Sequence, residues 1–152
     1  MPKFVSARDF EFFQHINREI VGEIIDIPVI LYKLYMQASK TNIYGEATER
    51  VSYTGIKLEA LIEYPENKAE TDIGIGVNQT QEVDFRFVRR VLKEVKVYPE
   101  IGDIISYNER FYEIDNVRET QLIAGRPEYN QSVLCSAHLT RKSAIDLEAR
   151  QV

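Results

Sequence analysis

The chain has 152 residues and a net charge of −5, with 28% charged and 44% hydrophobic side chains, an ordinary composition for a single soluble domain spanning residues 1–152. That acidic balance argues against a general nucleic-acid binder, which would show a basic face. The lone cysteine, Cys135, excludes an internal disulfide and a cysteine metal cluster, the N-terminal "MPKFVSARDF" lacks the apolar core of a signal peptide, and no run approaches a membrane span.

An N-terminal helix is predicted over 6–22. Ser6 caps it and Asp9 stands at the capping-box position. Phe10, Phe13, Ile16, Ile20 and Ile24 follow at helical spacing, and Gly22 is the expected stop. Phe12 lies off this stripe and is available to a second surface. A β core is predicted over 24–141. Its first strand, "IIDIPVILYKLY" (24–35), is apolar on both faces, which implies cover on both sides. Pro28 within it belongs at an edge or a bulge. Residues 36–55 lack clear periodicity and read as a long loop. "IKLEALIEYPE" alternates as a strand, with Ile56, Leu58, Ala60, Ile62 and Tyr64 on one face.

A second polar loop, 65–82, contains Gly74 and Gly76. Then Val83, Phe85 and Phe87 alternate with Asp84 and Arg86. Val88, Val91, Leu92 and Val95 switch to helical spacing. "PEIGDIISYNERFYEIDNV" reads as a turn, a strand, a tight loop at "NER" and a returning strand. A third loop covers 118–131. In the last strand Val133, Cys135, Ala137 and Leu139 share one face, with Ser132, Ser136, His138 and Thr140 mostly on the other. Residues 142–152 form a short helix or a tail. The sum is a mainly β protein: a small antiparallel β-barrel or sandwich with an N-terminal helix and long projecting loops.

Tests for chemistry return little. His15 has no acid or cysteine spaced to join it as a metal ligand. His138 and Cys135 are three apart on a strand and so face opposite ways, which separates any Cys–His dyad. No serine sits in a nucleophile elbow. "GIGVNQ" lacks the third glycine of a phosphate cradle and reads as a flexible loop tip. "YPENKAETD" lacks calcium-loop spacing. The expectation is therefore a protein that is not an enzyme, with no cofactor and no metal. "RFVRRVLKEVK" concentrates Arg86, Arg89, Arg90, Lys93 and Lys96. An oligonucleotide-binding barrel could use that surface, but Phe85 and Phe87 alternate with the charges and point into the core, away from bases. An arginine-rich protein interface is the competing reading. Nine tyrosines, apolar in body and polar at the tip, favour assembly surfaces.

"YPEIGDIISYNERFYEIDNV" resembles a recurring element of neck proteins from contractile-tailed, T-even-like bacteriophages. The matching residues are Pro99, Gly102, Asp103, Ile104 and Ile105, then Phe111, Tyr112, Glu113, Ile114 and Val117. "YGEA" at 44–47 is similar to the family's loop after its first long strand. "IAGRPEYNQSVLCSAHLTRKS" is similar to the closing strand of shorter relatives. The larger T-even-like neck proteins are longer than this chain, so roles of their extra segments do not carry over.

The resemblance implies a virion structural protein of the neck, a head-completion connector of the stopper type, assembled in the host cytoplasm. It implies a homo-oligomeric ring, a hexamer, between the portal–adaptor complex and the tail terminator. Genomic DNA would pass through the lumen without sequence-specific binding, and an acidic wall would let it slide. No membrane is involved. A tail-completion or tail-terminator ring is the alternative within the virion, and the oligonucleotide-binding barrel the alternative outside it. The nominated interface residues are Tyr44, Gly45 and Glu46, then Asp72, Ile73, Gly74, Ile75, Gly76, Val77 and Asn78, then Arg89, Arg90 and Arg126.

Overall fold

The capping box predicted from Ser6 and Asp9 is formed: the Asp9 N–H donates to Ser6 Oγ at 3.2 Å, and the Ser6 N–H donates to Asp9 Oδ2 at 3.1 Å. The Ser6 hydroxyl, which donates to Asp9 Oδ2 at 2.7 Å, and then the Ser6 N–H hold the Asp9 carboxyl below its ordinary range. This computed structural model describes residues 6–41, 47–65, 70–71, 77–78, 81–122, 130–140 and 145–147. Helix α1 runs Ala7–Glu19 and widens into a π-helical segment, Ile20–Ile25. The stop expected at Gly22 is corrected: the chain leaves helical geometry at Asp26, in the left-handed region (φ 43°). Aspartate tolerates that region because its short side chain bonds locally. Of the predicted stripe, only Phe10 is buried; Phe13, Ile20 and Ile24 are exposed.

The strands are β1 (Pro28–Thr41), β2 (Ala47–Glu59), β3 (Leu61–Glu63), β4 (Glu70–Thr71), β5 (Val77–Asn78), β6 (Glu82–Val88), β7 (Ile104–Tyr107), β8 (Arg110–Leu122), β9 (Asn130–Thr140) and β10 (Ile145–Leu147). Helix α2 (Arg89–Val95) follows β6, as the change of period predicted. The main sheet has the order β10-β2-β1-β7-β8-β9-β6-β3, and β4 pairs with β5 separately. Every main-sheet pair is antiparallel except β10 with β2. Pro28 opens β1, where its missing N–H breaks no ladder.

β2 and β3 are separated by Ala60 alone, yet β3 is one edge of the sheet and β2 lies near the other. The sheet must therefore curl until its two sides approach one another. The Ala60 N–H marks the switch by bonding Ile27 O at 3.1 Å. The hydrogen-bonded order still has two ends, so it does not close into a barrel. Inside the curl, β1, β2 and β6 to β9 give alternate residues to one core. Val29 and Leu31 meet Leu58, Val83, Phe85 and Phe87 with Ile105, Tyr112, Ile114, Val133, Cys135 and Ala137, and α2 adds Leu92. Phe85 meets the Tyr112 ring edge-on at 5.6 Å.

Three loop expectations are corrected. Residues 36–41 and 47–55 belong to β1 and β2, 118–122 belong to β8, and 130–131 begin β9. Within the 65–82 loop, β4 and β5 form a small hairpin. The predicted tail holds β10, which runs parallel to β2 from Ile145↔Arg50 to Leu147↔Ser52. In each case the strand is supported by backbone pairing to a neighbour, such as Tyr35↔Val51 and Lys40↔Glu49, and not by an apolar alternation that a sequence could display.

The 99–117 hairpin forms as read, with a shorter turn. Asn108 (φ 49°) and Glu109 (φ 62°) make a two-residue turn with both residues left-handed, as a type I′ turn requires, and Arg110 already belongs to β8. Upstream, Gly102 has φ +93°, and a Cβ there would lie 3.3 Å from Leu34 Cδ2. Asp103 is buried. Its Oδ1 accepts the Leu34 N–H at 2.9 Å, and its Oδ2 accepts the Glu100 N–H at 2.8 Å and Lys33 Nζ at 2.6 Å. The Asp103 main chain also bonds β8: its carbonyl accepts the Ile114 N–H at 2.9 Å. One carboxylate thus joins β1, the turn and the hairpin. Asp103→Ala takes the carboxylate acceptor from the part-buried Leu34 and Glu100 N–H bonds and from the Lys33 ammonium. Urea unfolding is expected to show a loss of about 3 kcal/mol, against about 1–2 kcal/mol for Gly102→Ala.

Candidate functional site

Helix α2 starts where β6 ends, so the buried face of the sheet continues into the helix through Leu92. Val88 caps it with extended backbone and no side-chain bond. At the C-terminus Lys96 takes the left-handed position that glycine usually fills, and the Val97 N–H bonds Leu92 O at 3.1 Å. With Leu92 inward, Arg89, Arg90, Lys93 and Lys96 are left towards solvent. Arg89 Nη1 lies 3.6 Å from Glu119 Oε2. Glu94 Oε1 is shared by Arg90 Nε at 3.5 Å and by Arg18 Nη1 of α1 at 3.1 Å. Among the described residues, Lys93 and Lys96 have no ion-pair partner. Together with Arg89, Leu92, Val97 and Tyr98 they line an open groove of about 220 Å³.

Behind the groove lies a polar cluster. Tyr98 Oη donates to Glu119 Oε1 at 3.2 Å, and Asn130 Nδ2 donates to Glu119 Oε2. Thr120 and Ser132 share a hydroxyl hydrogen bond at 2.7 Å. Burial and then the Glu119 charge push the Tyr98 phenol above its ordinary range. Asn130 is buried, and its Oδ1 has no partner among the described residues. This cluster pins the 97–100 connector to β8 and β9, and so holds the groove wall in place.

Of the nominated residues, the structure brings Arg89 and Arg90 together on α2. Val77 and Asn78 form β5, opposite Thr71 and Glu70. Tyr44, Gly45, Glu46, Asp72, Ile73, Gly74, Ile75, Gly76 and Arg126 lie outside the described residues. Phe85 and Phe87 are in the core, as their alternation required, so neither can stack on a base.

His138 and Cys135 face opposite ways, as read from their spacing. Cys135 is in the core; burial pushes its thiol up to about 12, the Asp103 charge adds to this and Lys33 opposes it. A thiol held protonated in that way is no nucleophile near neutral pH. His138 Nδ1 instead meets both Asp115 oxygens, at 2.7 and 2.8 Å. Sequence reading missed this pair. Asp115 sits at a register shift between Ile114 and Asn116, and a bulge turns a side chain out of the face its spacing assigns. His15 is exposed on α1. Among the described residues no group of His, Cys, Asp and Glu could hold a metal ion. None of their helices is long and apolar enough to cross a membrane.

No protein-family model and no curated protein matches the sequence. Among solved structures, a chain from the virion of a native gene transfer agent particle is similar at a TM-score of 0.47 and 11% identity, over 74% of this chain and 93% of that one. A likeness that loose assigns neither a fold nor a role.

The buried thiol supplies a direct check of the core. Cys135 is expected to ignore an aromatic disulfide reagent in the native protein and to react fully in denaturant. Its folded pKa stands above the unfolded value, so its contribution to stability is complete below that value and is lost as pH rises from 9.0 towards 12. The urea midpoint of the wild type, followed over that range, should fall relative to Cys135→Ala.

Proposed function

We propose that this chain is a structural protein of a tailed-phage virion, a ring-forming head-completion connector of the stopper type in the neck. On this reading it acts by assembly and not by catalysis. The observation that carries it is the Pro99–Val117 element, whose sequence resembles neck proteins. Gly102 and Asp103, the pair that marks the resemblance, are built as framework: one allows the turn and the other ties it to β1. A surface with many exposed apolar residues on one chain, among them Phe12 (62%), Ile24 (71%) and Ile101 (67%), supports an assembled state. The net charge of −5 suits a wall past which DNA slides.

The ring is taken to be a hexamer between the portal–adaptor complex and the tail terminator, within the virion neck. Arg89, Arg90 and Arg126, the loop at 44–46 and the segment 72–78 are its proposed contacts. A tail-completion ring would use the same surfaces at another level of the particle. The oligonucleotide-binding reading has the α2 cations in its favour and the burial of Phe85 and Phe87 against it.

Light scattering of the purified chain, alone and with tailless heads, tests this. A defined ring, or a monomer that is captured on the heads and closes their exit against nuclease, is expected. A monomer that ignores particles and binds single-stranded oligonucleotides in a salt-dependent way overturns it. Deleting 66–82 should abolish assembly or DNA retention if that segment is a contact or a channel loop.

A further inference from the structure

The register of the sheet sorts its charges. β6 runs from Glu82 to Val88 and then into α2, and β9 runs the opposite way, from Asn130 beside α2 to Thr140. The eleven residues of β9 span about 30 Å, so the two ends of the sheet are distinct surfaces. Glu82 pairs with His138, Glu113 pairs with His138 from the other side, and Glu63 pairs with Asp84. The β7–β8 turn, with Glu109 exposed at its tip, is at the same end, because Phe111 pairs with Thr140. Among the described residues, Arg86 and Arg110 stand against these acids. Arg86 reaches Glu63 at 3.4 Å, and Arg110 bonds the neutral Gln81 at 3.0 Å. The α2 end carries the opposite excess: Arg90, Lys93 and Lys96 beside Arg89, with Glu94 already shared by two arginines. Arg18 of α1 joins this end together with Glu19, so the positive excess belongs to α2 itself.

Each end also offers apolar surface. Val95 and Tyr98 are exposed beside the α2 groove, and Leu139 is exposed at the acidic end. There it lines a concavity of about 430 Å³ with Phe111 and the β7–β8 turn. Two exposed apolar faces of opposite charge on one chain cannot satisfy each other within that chain, being at opposite ends of the same strands. Like faces repel, which disfavours a dimer that sets either end against the same end of its partner.

We infer that the α2 groove, flanked by Lys93 and Lys96, is the docking site for the acidic end of a second copy of this chain, presented by Glu82 and by Glu109 on the β7–β8 turn. The contact is heterologous, head to tail, and closes into a ring or propagates as a filament according to the rotation between copies. It rests on the reading of the chain as a ring-forming assembly protein, and names the surfaces that would make the ring.

Charge reversal on the full chain tests it, using sedimentation velocity at low and physiological salt. K93E/K96E and E82K/E109K are each expected to weaken self-association by about tenfold or more, and salt to weaken the wild type. None of the four side chains is buried, so circular dichroism should show both variants folded. An equimolar mixture should recover assembly, since the reversed α2 of one variant then meets the reversed end of the other. Variants that associate like the wild type, or a mixture no better than its components, overturn the contact. A wild-type chain that joins phage heads yet stays monomeric in solution overturns the contact and leaves the virion reading standing. One that also ignores the heads overturns both.

Discussion

The curled sheet depends on one carboxylate. β1 and the hairpin of β7 and β8 are paired over only a few residues, from Ile30↔Ser106 to Tyr32↔Ile104. Beyond Tyr32 the β1 backbone would face the 97–103 connector with unpaired amides. Asp103 closes that gap by accepting the Leu34 N–H and the Lys33 ammonium on one side and the Glu100 N–H on the other. Lys33 extends the tie to the Tyr98 carbonyl at 2.8 Å and to Glu100 Oε2 at 3.2 Å. A buried carboxylate is tolerable because it accepts three donors, one of them charged. Without it, β1 with its long partner β2 would hang from the rest of the sheet by a short ladder.

That tie decides what the outer surface can be. The buried core takes residues from six strands, β1, β2 and β6 to β9, and Leu92 from α2, with none from α1. Helix α1 therefore docks through Phe10 and through polar contacts, Arg18 to Glu94 and Asn17 to Gln131, while most of its apolar stripe stays uncovered. An amphipathic helix of this length gains most of its stability from packing. A chain that leaves Phe12, Phe13 and Ile24 in water has spare apolar area where an assembly would have cover.

The legible parts of the sequence were those where one residue type had one physical outcome. Ser6 with Asp9 meant a cap, Phe85 with Phe87 meant a core face, and Cys135 among Val133 and Ala137 meant a buried thiol. The interior side of the last strand was right through Ala137; Leu139, on the same alternation, is exposed because the strand has by then run past the core. The outer parts of β1 and β2 were hidden because backbone pairing alone makes a strand without requiring an apolar alternation. β10 was hidden because a three-residue strand has too few positions to show a period. Asp115 and His138 are twenty-three residues apart, and a bulge decides their meeting, which no local pattern announces. Among the nominated site residues that are described, Arg89 and Arg90 share α2 and Val77 and Asn78 share β5, each pair already adjacent in the sequence.

The polarity of the sheet follows from its connections and not from its composition. A chain with net charge −5 would show a diffuse acidic surface if its cations were scattered. Here β6 hands over to α2 at one end only, so "RRVLKEVK" is delivered as a block to that end. The starts of β6 and β8 and the end of β3, with Glu82, Glu113 and Glu63, fall at the other end by antiparallel register. Moving a single lysine would change little. Shifting the register of β6 on β9 by one residue would turn Phe85 and Phe87 out of the core as well as misplace Glu82. The burial of those two rings is therefore what holds the charged ends apart, and the electrostatic character of the surface is inherited from the packing of the core.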